Sequence, residues 1–280
     1  MALELLLDDA PGPALLALAI ERGWVTLPAA VRVVPGLDAA TLAATSGALG
    51  LLPFTEYAML QESHTILPEL AAGGQHNAGI VLSADRRLDE IDNASVDLAE
   101  TSRAAECYAR ATLKKFYGIT AARWVRDREQ EAPGSDEPAQ PWLEVREGGE
   151  ALHLLDEPGG RTVVDLGRAW FILTGLPPLT HVLLAPDAAL ADDVAAVRAL
   201  TGALTSALQQ LQNWQDELIS TLAEHYGVSR EVASAFYRDQ FLTLTGDAQK
   251  SLPLLFAQGA WGMRLPPVTR LKLAAGTPRV

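Results

Sequence analysis

One cysteine in 280 residues, Cys107, removes any internal disulfide and any metal site built on several thiolates of one chain. Basic side chains are scarce as well: 22 Lys and Arg face 35 Asp and Glu, a net charge of -13. A field of that sign repels nucleic acid and anionic membrane surfaces, so neither is an expected partner. A small anionic ligand would need a local basic pocket. No apolar run reaches the ~20 residues that cross a bilayer, because proline or polar residues interrupt each candidate. The opening residues, MALELLLDDAPG, lack a positive segment and meet acid at Asp8, which does not read as a secretory signal and makes the cytoplasm the expected compartment. Phosphate-loop, GxGxxG, HExxH and nucleophile-elbow patterns are missing, which removes the commonest nucleotide, zinc-protease and hydrolase readings. Of the histidines His64, His76, His153, His181 and His225, none has another at i+3 or i+4, so neither a metal nor another cofactor is expected.

What is present is a folded α/β composition, 49% hydrophobic and 20% charged, long enough for two lobes. Residues 163–177, VVDLGRAWFILTGLP, organise the rest. The β-branched Val163 and Val164 suit a strand ending at Asp165, whereas Trp170 and Leu173 recur at helical spacing. Gly175 supplies a helix exit and Pro177-Pro178 prevents continuation into a strand over 180–184, so this stretch reads as the crossing back between lobes.

Upstream, residues 3–7, 31–34 and 49–52 read as strands separated by helices over 14–21 and from Asp38 to Ala44, a βαβαβ unit and hence a parallel sheet. A helical turn is expected up to Pro68, a turn at Gly73-Gly74, and a strand over 78–83 that makes the first crossing. The second lobe then holds strands over 96–99, 121–125 and 152–155, the last ending at Asp156, and a helix over 103–117 capped by Thr101-Ser102. The charged, Pro- and Gly-rich stretch 126–141 reads as a surface loop. After the return come helices over 187–212, 214–226, 229–241 and 254–261, then an extended run to Val280. The expected architecture is a two-lobed binding-protein fold with parallel-core sheets and a helical tail, lobe 1 being 1–83 plus 179–280 and lobe 2 being 84–178.

Ligands of open α/β sheets sit at the carboxyl ends of the strands, which singles out Asp8, residues 53–56, Ser102 and Asp156. Thr101, Ser102 and Arg103 place hydroxyls, helix N-H groups and a guanidinium where a carboxylate could dock, with a plain helix cap as the other reading. Asp156 beside Pro158-Gly159-Gly160 reads as a base, a hydroxyl acceptor or a turn former. One of Glu56 and Tyr57, after Thr55, should face the crevice. His76 and Asn77, in a glycine-flanked loop, are further candidates, although a lone loop histidine is usually just solvated. The aromatic set from Phe236 to Phe241 reads as core.

At this point the chain resembles a family. VVDLGRAWFILTGLPPLTHVLLA, LGLLPFTEYAML over 49–60 and LHLLDEP over 152–158 are similar, in order and spacing, to segments of the futalosine-route menaquinone-biosynthesis proteins, chorismate dehydratase and its sister dihydroxynaphthoate synthase. The resemblance implies a type II periplasmic-binding-protein fold and a lyase that removes water from chorismate to give 3-enolpyruvylbenzoate without metal or nucleotide. It implies substrate between the lobes, with Asp156 and Asp8 on hydroxyl or ring groups and Ser102 with Arg103 on a carboxylate. This chain departs from the pattern at Phe54, Ala78, Ala104 and Ala105, where hydroxyl residues are usual, and at Asp8, where an Asn is usual. The sister synthase's histidine would fall at Asp156. The second expectation is therefore a non-catalytic paralogue that binds a small, aromatic carboxylate. A transporter's binding protein is a third, which the missing signal segment disfavours. The expected partner is a small anionic organic acid, with a homodimer allowed.

Overall fold

The computed structural model describes residues 3–126 and 141–274. In chain order the elements are β1 (Glu4–Asp8), α1 (Pro11–Glu21), β2 (Ala30–Val34), α2 (Ala39–Ala44), β3 (Ala48–Pro53), α3 (Tyr57–Leu60), β4 (His64–Gly74), β5 (Ile80–Ala84), β6 (Asn93–Asp97), α4 (Arg103–Thr112) and β7 (Thr120–Val125). Then follow β8 (Trp142–Glu147), α5 (Gly148–Asp156), β9 (Thr162–Asp165), α6 (Leu166–Thr174), β10 (Leu179–Pro186), α7 (Asp187–Asp192), α8 (Val194–Leu211), α9 (Gln215–Tyr226), α10 (Arg230–Asp239), β11 (Gln240–Phe241) and α11 (Gly246–Gly259).

The strands form two sheets, one of order β11-β4-β10-β3-β1-β2 and one of order β7-β6-β8-β5-β9. In the first, β2, β1 and β3 run parallel as the βαβαβ pattern requires, and β10 returns from the other lobe antiparallel between β3 and β4. In the second, β7, β6 and β8 are parallel and β5 is antiparallel to β8 and β9. Each lobe thus has a parallel core with an antiparallel strand at the point where the chain crosses. Because β5 pairs with β8 and β9, it belongs to lobe 2. The first crossing therefore precedes Ile80, whereas the sequence reading made the strand over 78–83 the crossing and kept it in lobe 1.

Four local expectations need correction. Residues 152–155 are helix, not strand: α5 reaches Asp156, and the strand of this region is β8. Residues up to Gly74 are strand through Pro68, with register shifts against β10 where the ladder is irregular. Phe241 leaves α10 and pairs with Gly73 in the sheet. The last helix starts at Gly246, capped by the Thr245 hydroxyl, and carries Pro253 in its interior. The loop expected over 126–141 falls, apart from its two ends, outside the described residues, as does the end of the extended tail. The described tail pairs alongside β4, with Ile66 N-H donating to Lys272 O and Ala274 N-H to Ile66 O.

The crossing at 163–177 is as read. Asp165 caps α6, accepting from Arg168 N-H at 3.0 Å, and Gly175 ends it at φ 71°. The same carboxylate accepts from Ala78 and Gly79 N-H, both at 2.9 Å, and so ties the outgoing and returning crossings together. Burial pushes this carboxyl up to about 6 against the pull of those N-H donors. A Cβ on Gly167 would collide with the Ala78 backbone, which is why the strand-to-helix turn closes only with glycine there. Behind the crossing, Trp170 is fully buried, packs edge-on to Tyr108 at 6.2 Å between ring centres and donates to Ser251 Oγ at 3.0 Å. Phe54, also fully buried, meets Tyr108 and Phe256 edge-on. It is core between the lobes' roots.

Candidate functional site

Three strand ends meet where the lobes face each other. Asp8 ends β1, Pro53 ends β3 and His181 pairs with Pro53 from β10, so Asp8 and His181 flank the β3 end. Asp8 is 7% exposed and His181 6%. Asp8 Oδ1 accepts from the N-H groups of Asp9 and Leu37 at 3.0 Å each, and Oδ2 lies 3.0 Å from His181 Nε2.

Counting protons orients the His181 ring. The Thr180 hydroxyl gives its one proton to Ala72 O at 3.0 Å, so it must accept from His181 Nδ1, also 3.0 Å away. Nδ1 is then a donor, and Nε2 shares one proton with the Asp8 carboxyl across 3.0 Å. The pair is taken out of water and held by backbone N-H groups on its Asp8 side.

Lobe 2 supplies the facing wall. Ser102 caps α4, its Oγ accepting from Ala105 N-H at 3.2 Å. Glu147, the last residue of β8, accepts from the Ser102 N-H and, at 2.9 Å, from the Ser102 hydroxyl. Burial drives the Glu147 carboxyl upward, the two Ser102 bonds and the His181 charge pull it down, and Asp8 adds to the rise. Arg103, 45% exposed at its side chain, donates through Nη1 to Glu56 Oε1 at 2.9 Å, and Glu56 also accepts from Ala39 N-H at 3.1 Å. This ion pair runs between lobes. Near Asp8 the Tyr226 Oη is buried without a partner among the described residues, and the Tyr226 ring lies against Gly149. Asp8 and Asp9 add to the burial that raises its hydroxyl.

The structure therefore brings Asp8, Ser102, Arg103 and Glu56 together where the lobes face each other. Thr55 is fully buried beside them, its hydroxyl unpartnered among the described residues. The other candidates lie elsewhere. Tyr57 is turned to the tail, its Oη accepting from Lys272 N-H at 2.8 Å, so Glu56 is the residue of that pair that faces α4. Thr101 donates to Leu98 O at 2.8 Å and is part of the loop before α4. His76 and Asn77 sit at the first crossing: both N-H groups donate to Asp239, and the His76 ring packs edge-on to Phe171 at 4.6 Å. Asp156, at the end of a helix, spends both oxygens on Ser229, on its N-H and hydroxyl at 2.6 Å each. That contact joins α5 to the start of α10. Beside it Leu152 packs with Ile219, Leu222 and Val228, so α5 of lobe 2 is seated on the C-terminal helices.

Sequence reasoning missed Glu147, His181 and Tyr226. His181 was visible as a histidine at the start of the returning strand. Glu147 was hidden because the strand it ends was placed ten residues late. No group of three metal-ligating side chains is assembled among the described residues. An open groove of about 1460 Å³ lies away from the crevice, on lobe 1 between α8 and residues 240–246.

The fold is shared with solved structures at low identity. A protein of Archaeoglobus fulgidus, AF1704, aligns over 91% of this chain and 95% of its own with a TM-score of 0.65 and 14% identity. The periplasmic aliphatic sulphonate-binding protein of Escherichia coli aligns over 100% and 95% with a TM-score of 0.61 and 12% identity. The Candida albicans CA3427 product, described as having the generic periplasmic-binding-protein fold, aligns over 91% and 90% at 0.59 and 12%. No curated protein matches the chain in sequence. The sequence profile for menaquinone biosynthesis matches residues 37–260, which carry the crossing, β3 with its Glu56, α4 and the α5 latch. With a two-lobed periplasmic-binding-protein-like fold and a match over most of its length, the chain belongs to the menaquinone-biosynthesis family.

Proposed function

We propose that the protein binds chorismate between its lobes and removes water from it to give 3-enolpyruvylbenzoate. The observation that carries this reading is the buried Asp8–His181 pair at the strand ends, in a chain of the menaquinone-biosynthesis family. Dehydration breaks the ring C3–H bond, turns its electron pair into the C3=C4 double bond and expels the C4 hydroxyl, and the ring becomes aromatic. Asp8 is the group to take the C3 proton and His181 the group to protonate the departing hydroxide, so substrate loses one proton, gains one and releases water. With 3.0 Å between Asp8 Oδ2 and His181 Nε2, the proton returns from the acid to the imidazole and restores the pair. Arg103 uses Nη1 on Glu56, and its remaining N-H groups are the ones to hold a carboxylate of the substrate. Positioning and fixed dipoles suffice where aromatisation drives the reaction.

Incubation of the purified protein with chorismate should produce 3-enolpyruvylbenzoate on a chromatogram. Chorismate left unconsumed, with no thermal stabilisation by it, sinks the proposal. One observation favours a second reading, a paralogue that binds a small carboxylate without turnover: the Ser102 donors and part of Arg103 are already engaged by Glu147 and Glu56. A thermal-shift screen of aromatic and keto acids tests it. A hit recovered unchanged supports this second reading, and turnover of any hit removes it.

A further inference from the structure

Lobe 2 faces the crevice with the N-terminus of α4, where a backbone N-H and a hydroxyl of Ser102 point outward from the helix. In a cleft that grips a carboxylate these are natural donors. Here they are taken. Glu147 accepts from both, and the Ser102 hydroxyl, having given its proton to Glu147, accepts from Ala105 N-H. Ser102 and Glu147 belong to one lobe, on α4 and at the end of β8, so opening of the lobes does not part them.

The surroundings argue the same way. A second carboxylate beside Glu147 would also feel Asp8, and the nearby cations already carry acidic partners. His181 is paired with Asp8. Arg103 is on Glu56, and Arg146 is on Asp97 at 2.7 Å and Glu150 at 2.9 Å. What the α4 N-terminus itself offers a ligand is therefore an acceptor, Glu147. A hydroxyl can donate to Glu147 without displacing it, whereas a carboxylate must break two hydrogen bonds and bring like charges together.

We propose that Glu147 is a specificity-determining residue of the crevice: it closes the α4 N-terminus to a ligand carboxylate and selects acids that bring a hydroxyl to lobe 2. The proposal rests on ligand binding between the lobes, as above, and narrows the substrate class. For chorismate it sets the ring hydroxyl against Glu147 and the carboxylates elsewhere.

Titration calorimetry of the full chain with 3-hydroxybenzoate and isophthalate, which differ in carrying a hydroxyl or a second carboxylate at one ring position, tests it. Wild type should bind 3-hydroxybenzoate at least about tenfold more tightly, about 1.4 kcal/mol. Glu147→Ala frees the Ser102 donors and should reverse the order. Glu147→Gln keeps Ser102 bonded and should gain no isophthalate affinity. If E147A fails to fold, Glu147→Asp, one methylene shorter, should show the same gain. Equal binding of the two acids by wild type, or no gain of isophthalate by whichever shortened variant folds, overturns the proposal. The outcome is separable from turnover: the predicted reversal without any chorismate consumption removes the dehydratase reading alone. Chorismate turnover with unchanged ligand preference in E147A removes this one alone.

Discussion

Asp8 is buried against His181, and the two residues are unequal in what they tolerate. Asn at position 8 still accepts from Leu37 and Asp9 N-H through its Oδ1 and can donate to a neutral His181, so the fold survives. Ala at position 181 leaves the carboxylate buried and unpaired. His181→Ala should therefore cost about 3–5 kcal/mol in a denaturant titration, while Asp8→Asn costs well under half of that. Equal losses would contradict this asymmetry. Glu147 makes a pH prediction. Its folded value is raised by burial, so its contribution to stability is whole below the ordinary 4.5 and is lost as pH rises through the folded value. Glu147→Gln keeps the Ser102 contact and removes that loss, so its melting temperature should gain on wild type as pH rises above 4.5. Parallel curves would contradict the assignment. At this scale Asp8, Ser102, Arg103 and Glu56 were legible, because ends of strands and starts of helices can be placed from composition and lead to a crevice. His181 was not, since nothing in one sequence says that a histidine on a strand finds an aspartate 173 positions earlier.

Among the elements, those with clear punctuation were legible: α2 behind Asp38, α4 behind Ser102, and α6 between Asp165 and Gly175. The failures share a cause. LHLL over 152–155 is a short apolar run that suits strand and helix equally, and only packing against the C-terminal helices makes it the end of α5. Pro68 and the glycines after it argued against a strand, yet β4 is made by β10 and the tail on its two sides. The element that fixes the crossing is α6, whose Trp170 fills the space between Tyr108 and α11 with its indole N-H satisfied by Ser251. Trp170→Ala should cost about 3–5 kcal/mol. A loss near 1 kcal/mol would mean that the site collapses around the smaller residue and that α6 is not the anchor.

For the whole molecule, the exit and return of the chain were readable from one change of period, because a strand that tips into a short helix and then into proline has few places to go but across. The lobes are joined on one side by Arg103 with Glu56 and on the other by Asp156 with Ser229, beside the packing of Leu152. Asp156, expected as a catalytic carboxylate, is thus a latch between α5 and α10. Asp156→Ala should enlarge the ligand-free radius of gyration in X-ray scattering and weaken ligand binding by about threefold, since a smaller closed fraction lowers apparent affinity in proportion. An unchanged radius would show that the apolar contact of Leu152 suffices.

The central claim is that ligand is held and transformed at Asp8 between the lobes. Its most direct test is the time course of chorismate in solution with wild type and with Asp8→Asn, followed by proton NMR so that substrate and product are seen together. The account predicts 3-enolpyruvylbenzoate from wild type and at least about a hundredfold less from a folded Asp8→Asn, the loss expected when a general base is removed. Product formed at the same rate by both proteins would contradict it.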